Sequence, residues 1–208
     1  SHNMNVNEVL ANRANELLGG TRGTYSPVHP NDHVNMAQST NDVIPTAMRL
    51  ATLAALPAFL ASLDRLAESL LAKGTQFDHV MKSGRTHLQD ATPIRLGQEF
   101  TAYGRTVARH REKLAHAADW LRDMGIGGTA VGTGLNAEVQ YPELMVKHLE
   151  AVSRLDLRVG EDRIQLMQSM GDIATFTGAF RAYVVDLAKI ANDIRLLASG
   201  PRCGFNEI

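Results

Sequence analysis

Ile173-Ala174-Thr175-Phe176-Thr177-Gly178-Ala179-Phe180-Arg181-Ala182-Tyr183-Val184-Val185-Asp186-Leu187-Ala188-Lys189-Ile190-Ala191-Asn192-Asp193-Ile194-Arg195-Leu196-Leu197 is the stretch whose reading decides the fold. Ile173, Phe176, Phe180, Tyr183, Leu187, Ile190, Ile194 and Leu197 recur at intervals of three and four. That spacing keeps one stripe of an α-helix on one side for many turns. No proline interrupts it, so the spacing predicts a helix running unbroken from about Asp162 to Ala198, with its stripe buried.

Two further segments carry the same period. Leu56, Phe59, Leu63, Leu66 and Leu70 form one stripe; Phe100, Tyr103, Val107, Leu114, Ala117 and Leu121 form another. Each of the three helices would be roughly 40 to 50 Å long at 1.5 Å per residue. Pro57 should kink the first, because it cannot donate to the preceding turn. Shorter helices are expected from about Glu8 to Leu18, ending at Gly19-Gly20, and from Pro142 to Val152. Strand-like alternation is nearly missing, and aromatics are only 5% of residues, which favours close helix packing. The expected fold is all-α, a long-helix bundle with no sheet of more than marginal size. Small residues on additional helix faces leave surface to cover, and oligomerisation is the expected cover.

Composition bounds the partners. With 21 Lys+Arg against 22 Asp+Glu in 208 residues, nothing points to nucleic acid or to a membrane surface, and a small ligand is expected. No uninterrupted apolar run of about 18 residues is present to span a bilayer. The single cysteine, Cys203, excludes an internal disulfide, and His33, His79, His110, His116 and His148 form no metal-like pattern with carboxylates. No metal or cofactor is expected, and a cytoplasmic location is the simplest reading of a chain without a signal-peptide pattern.

Two polar segments precede long helices. Gln38-Ser39-Thr40-Asn41-Asp42 leads to Pro45, and Ser83-Gly84-Arg85-Thr86-His87-Leu88-Gln89-Asp90 leads to Thr92-Pro93, read as a cap and first helical residue. The free N–H groups of a first helical turn, with the positive end of the helix dipole, can bind a carboxylate without a full positive charge. Ser, Thr, Asn and Asp are also ordinary N-cap residues, and a lone histidine is more often a surface or core residue than a catalyst. His29-Pro30-Asn31-Asp32 reads equally as a turn. Gly127 to Gly134 lacks the Lys-Ser/Thr ending and preceding strand of a phosphate loop, and reads as a packed turn.

Together with Gly127-Gly128-Thr129-Ala130-Val131-Gly132-Thr133-Gly134 and Ser199-Gly200-Pro201-Arg202, the two polar segments resemble the aspartase/fumarase superfamily of lyases, with the match running from end to end. The resemblance implies a central helical domain at 43–208, incomplete at its C-terminal end, after the remainder of an N-terminal region at 1–42. It also implies a further domain before Asn3-Met4-Asn5 and a Gly-Ser-Ser loop after Gly204, so the chain reads as cut at both ends. The family's catalytic Ser, and the Lys and Asn that follow it, would lie beyond Ile208, and the segment alone is expected to be inactive.

The implied reaction is reversible anti elimination from a dicarboxylate through an aci-carboxylate carbanion. Residue by residue, the resemblance gives Ser39, Thr40 and Asn41 to substrate binding, Thr86 to a carboxylate, His87 to orienting substrate or a bound water, and Asn3, with Asn5 and Glu8, to another site wall. It gives His29, Asn31 and Asp32 to a possible second dicarboxylate site. It implies a homotetramer with a twenty-helix core, whose sites are shared among subunits, so that Ser39–Asn41 and Thr86–His87 of one chain form separate half-sites. Thr40, Asp193-Ile194-Arg195-Leu196-Leu197 and Phe205-Asn206-Glu207-Ile208 favour the aspartase branch, releasing ammonia from L-aspartate to give fumarate. His87, Gly128 and Cys203 suit the alternative, a class II fumarate hydratase acting on malate and fumarate. A non-catalytic helical oligomerisation module is the alternative of another class.

Overall fold

The computed structural model describes residues 2–208. The chain forms two compact units, each assembled from separate stretches of sequence: residues 1–54 with 120–173, and residues 55–119 with 174–208. The chain is mostly helical, as its apolar period requires.

The first unit contains α1 (His2–Leu17), the opening turns of α2 (Thr40–Gln76), α4 (Tyr141–Ser153) and α5 (Arg163–Gln168). A minimal parallel pair, β3 (Asp123–Met124) with β4 (Arg158–Val159), joins its loops. Leu121, Met124, Ile126, Val146, Leu157 and Leu166 are buried here. So are several polar groups, among them Arg49 and Asn15, whose side chains meet partners. Arg49 is 2% exposed and donates to the Trp120 carbonyl at 2.7 Å and to Asp172 Oδ2 at 2.6 Å. Asn15 is fully buried, its amide donating to the Val28 carbonyl and its oxygen accepting from the Val28 N–H.

The second unit is a three-helix bundle made of the later turns of α2, α3 (Leu96–Asp119) and most of α6 (Gly171–Leu197). Leu63, Ala67 and Leu70 from α2 meet Phe100, Tyr103, Val107 and Leu114 from α3 and Tyr183, Ile190 and Leu197 from α6. Two glycines let α2 and α3 approach: a Cβ on Gly97 would lie 2.2 Å from the Gly74 carbonyl oxygen. An antiparallel hairpin, β1 (Met81–Thr86) with β2 (Gln89–Arg95), connects the two helices.

Several sequence expectations are corrected. The segment Thr92-Pro93 is strand, pairing Ser83 with Pro93, and α3 starts at Leu96 with Gln98 Oε1 accepting the Arg95 N–H at 3.0 Å. Proline is tolerated there because a strand of a two-stranded ribbon has an unpaired side. The last long helix is not continuous: Ser169 is extended, Asp162 caps α5, and Ser169 Oγ accepts the Gly171 N–H where α6 begins. Helix α1 starts at His2 rather than near Glu8. Within the α6 stripe, Phe180 is 40% exposed whereas Tyr183, Ile190 and Leu197 are buried.

Helix α2 is also long and apolar enough to cross a membrane by length and composition alone, with a window of mean hydropathy 1.6 of which 22% is buried within the chain. Its apolar run is interrupted by Thr46, Arg49 and Thr52. Its Arg49 is already neutralised by protein groups of the first unit.

Candidate functional site

The N-terminus of α2 is built as a capping box. Ser39 Oγ accepts the Asn41 N–H at 3.2 Å, and Asp42 Oδ1 reaches back to accept the Ser39 N–H at 2.8 Å. The other Asp42 oxygen crosses to the Gly-rich turn, accepting the N–H groups of Gly127 at 3.1 Å and Thr129 at 3.0 Å. Asp42 is completely buried. Burial pushes its carboxyl above the ordinary aspartate range, although the N–H groups of Ser39, Thr129 and Gly127 pull in the opposite direction. Asn41 Nδ2 adds a second tie, donating to the Ala130 carbonyl at 2.9 Å.

These ties shape a cleft of ≈ 540 Å³ in the first unit, lined by Thr40, Asn41, Ile44, Ala130, Val131 and Met167, among others. Its polar end is a helix N-terminus with a hydroxyl and a carboxamide, suited to an anion. Its opposite wall is apolar.

In the second unit the hairpin presents Thr86 and His87. Thr86 pairs with Gln89, leaving His87-Leu88 as a two-residue turn. Both have positive φ, 50° and 61°, the conformation of a type I′ turn that Asn-Gly ordinarily fills. A side chain in that left-handed region costs roughly 1–2 kcal/mol. Strain of this kind persists where the surroundings over-determine the backbone. Both Thr86 and His87 are exposed at the tip.

A second cleft, of ≈ 480 Å³, lies beside the tip, with Lys82, Arg85, His87, Glu99, Lys189 and Asp193 among its lining residues. Its cations have carboxylate partners: Lys82 with Glu99 and Glu207, Arg85 with Glu207, and Lys189 with Asp193. The Tyr103 hydroxyl donates to Asp193 Oδ2 at 3.0 Å, and burial, followed by that hydrogen bond, pushes the phenol up. The cleft thus presents the His87 imidazole, with its positive charges engaged by carboxylates, and the exposed Thr86 hydroxyl adjoins it along the chain.

The remaining sequence-nominated residues sit in the first unit. Asn3 is 5% exposed, and its amide donates to Asn35 Oδ1 at 3.3 Å, an oxygen it shares with Asn7 at 2.8 Å. Asn5 and Glu8 are exposed on the same helix. His29 uses Nδ1 to accept the N–H groups of Asn31 and Asp32, so this imidazole caps the short helical turn Pro30–Val34. Asp32 lies 3.4 Å from the same nitrogen.

Ser39–Asn41 and Thr86–His87 therefore belong to different units, and Thr40 and Asn41 line one cleft while His87 lines the other. Reading the sequence for reactive side chains missed Asp42, Arg85, Lys82 and Glu207, which touch these segments. The Ser-x-x-Asp spacing of Ser39 to Asp42 is itself a capping-box signal and could have marked Asp42. No local signal couples Glu207 to Arg85, 122 positions away.

With this geometry in place, comparison with known proteins is informative. A lyase family model matches residues 1–208. Aspartate ammonia-lyase of Pseudomonas aeruginosa is 49% identical over 209 residues, covering 100% of this chain and 44% of the relative. Class II fumarate hydratase of Ralstonia nicotianae is 49% identical over 207 residues, covering 99% of this chain and 45% of the relative. The crystal structure of a fumarate lyase:delta crystallin from Brucella melitensis bound to cobalt superposes with a TM-score of 0.94 at 48% identity, covering 98% of this chain and 44% of that one. The chain thus spans less than half the length of the relatives it matches.

Proposed function

The chain belongs to the lyase family of the aspartase/fumarase superfamily, and from that premise we propose that the protein, at the full length of its relatives, releases ammonia reversibly from L-aspartate to give fumarate. The proposed course is anti elimination. A base removes a proton beside one carboxylate, the electron pair is delocalised into that carboxylate as an aci form, and the ammonium group leaves from the adjacent carbon. The protein's main task is to stabilise the doubly charged carboxylate by oriented donors. Ser39, Thr40 and the first turn of α2 take that task, and Thr86 holds a carboxylate. His87 orients substrate or a bound water, Asn3 supports the site wall, and His29, Asn31 and Asp32 are a candidate second dicarboxylate site.

The observation that carries the aspartate reading is the Asn41 side chain. One N–H of its NH₂ is committed to the Ala130 carbonyl, which anchors the side chain whose oxygen is the acceptor. An ammonium leaving group needs such acceptors, whereas a malate hydroxyl asks less of them. The aspartate ammonia-lyase relatives support the same choice.

Class II fumarate hydratase is the second reading, supported by a relative of equal identity. A homotetramer with shared sites is part of the proposal, supported by the separation of the two segments into different units and by the exposed apolar surface of α2. A cytoplasmic location is retained with it, and an oligomerisation module without catalysis is the reading left if chemistry fails. Absorbance near 240 nm from fumarate, followed with aspartate and then with malate, tests all three. Fumarate from aspartate with release of ammonia supports the proposal, fumarate from malate alone replaces it with the hydratase, and fumarate from neither leaves the module.

A further inference from the structure

The strained turn at His87-Leu88 is exposed and makes no core contact that would hold it, so what fixes the hairpin lies at its base. Arg85 immediately precedes Thr86. Its guanidinium forms two hydrogen bonds to the Glu207 carboxylate, through Nη1 at 3.2 Å and through Nη2 to the other oxygen. It also stacks on Phe205, 3.8 Å from the ring centroid. Lys82, four residues back on β1 from Thr86, shares the same carboxylate at 2.9 Å and binds Glu99 at 3.0 Å. The side chains of Lys82, Arg85 and Glu207 are 7%, 17% and 18% exposed, so this is a largely buried network rather than a surface pair.

The segment that supplies Glu207 and Phe205 is itself folded back onto the end of α6. The Glu207 N–H donates to the Leu197 carbonyl, Asn206 to the Ser199 carbonyl, and Phe205 to Ser199 Oγ. Gly204 makes this return possible, since a Cβ there would lie 2.4 Å from the Ser199 carbonyl carbon. A planar guanidinium held bidentately on one edge and stacked on one face has little freedom left. The strand that carries it is therefore pinned one residue before Thr86.

We propose that Glu207 is a positioning residue for Thr86 and His87, acting through Arg85, with Phe205 as the platform that keeps the guanidinium in plane. The inference rests on the assignment of Thr86 and His87 to substrate. Glu207 also occupies Arg85 and Lys82, so that the cleft presents the His87 imidazole, with the exposed Thr86 next to it in the chain, to a dicarboxylate instead of two competing cations. Removing the carboxylate frees Arg85, leaves Lys82 with Glu99 alone, and lets the turn relax.

The test is made in the protein at full length, with Glu207→Gln, Arg85→Gln and the double variant. Two readouts are taken: kcat and KM for the substrate proposed above, and hydrogen exchange of peptides spanning 81–95. Glu207→Gln is expected to lower kcat/KM by about tenfold, mainly through kcat at temperatures well below unfolding, while exchange at the tip quickens. In the double-mutant cycle the two losses should be strongly non-additive, because both substitutions break one link. Phe205→Leu keeps the charges and should give a smaller loss in the same direction, and it serves where Glu207→Gln fails to fold. Unchanged exchange, unchanged kcat, or additive losses overturn the proposal. If the unmodified protein turns over neither aspartate nor malate while Glu207→Gln still quickens exchange at the tip, the functional reading fails and the latch stands.

Discussion

Asp42 Oδ2 accepts the backbone N–H of Thr129 at 3.0 Å, joining two residues 87 positions apart in the chain. With the Gly127 N–H on the same oxygen and the Ser39 N–H on the other, one buried carboxylate determines how far the α2 N-terminus stands from the Gly-rich turn. The width of the first cleft follows from this side chain together with the Asn41–Ala130 tie.

Replacing Asp42 by Ala leaves three N–H groups without their acceptor. The expected loss of stability is about 3 kcal/mol, at the upper end for a buried group losing charged hydrogen bonds. Urea denaturation measures it; a change below about 1 kcal/mol would show that the turn finds other partners.

Leu88→Gly should stabilise the protein. Leu88 has φ 61° and is 67% exposed, so glycine relieves left-handed strain without emptying a core position. A gain of about 1 kcal/mol is expected, read as a higher denaturation midpoint. A lowered midpoint would mean that the leucine side chain makes a contact outside the chain.

Glu207 gives a pH dependence of definite sign. Its hydrogen bond to Arg85 holds the carboxyl below its ordinary value of 4.5, ahead of the opposing effect of burial, and Lys82 adds to the lowering. A carboxyl depressed in the folded state contributes stability that is complete above its unfolded value and is lost as pH falls through the folded one. Hydrogen exchange at Asn206 and Glu207, taken relative to the intrinsic amide rate at each pH, should therefore accelerate on acidification below about pH 4.5. The same acceleration in Glu207→Gln would assign the acid response to another group.

Asn41→Ala, made at full length, should weaken aspartate turnover by removing an oriented contact. The expected loss is about 1 to 3 kcal/mol, roughly tenfold to a hundredfold. Ready hydration of fumarate by the unmodified protein, with no ammonia from aspartate, would end the aspartase assignment and leave family membership intact.

How much could be read beforehand varies with the range of the interaction. The stripe from Ile173 to Leu197 announced its helix because helical periodicity is local, and the same holds for the stripes around Leu63 and Val107. The Thr92-Pro93 boundary was misread for the converse reason. A Thr-Pro pair suits a helix start, but pairing with Ser83 across the hairpin supplied the competing hydrogen bonds. The break at Ser169 was equally hidden, since apolar period continues across it while Ser169 and Asp162 divert the backbone bonds into two caps.

By itself the sequence determined the helical class, the family resemblance, and the short polar segments in which chemistry was sought, all carried by residues within a turn or two of each other. The tertiary structure alone decided that His87 occupies a strained two-residue turn, that Asp42 ties Ser39 to Gly127 and Thr129, and that Glu207 holds Arg85. The Asp42 bonds to Gly127 and Thr129 and the Glu207 bond to Arg85 join segments distant along the chain. A charge or an amide acquires its partner only when packing of the apolar stripes brings the two together, and the identity of either residue alone does not specify which partner that will be.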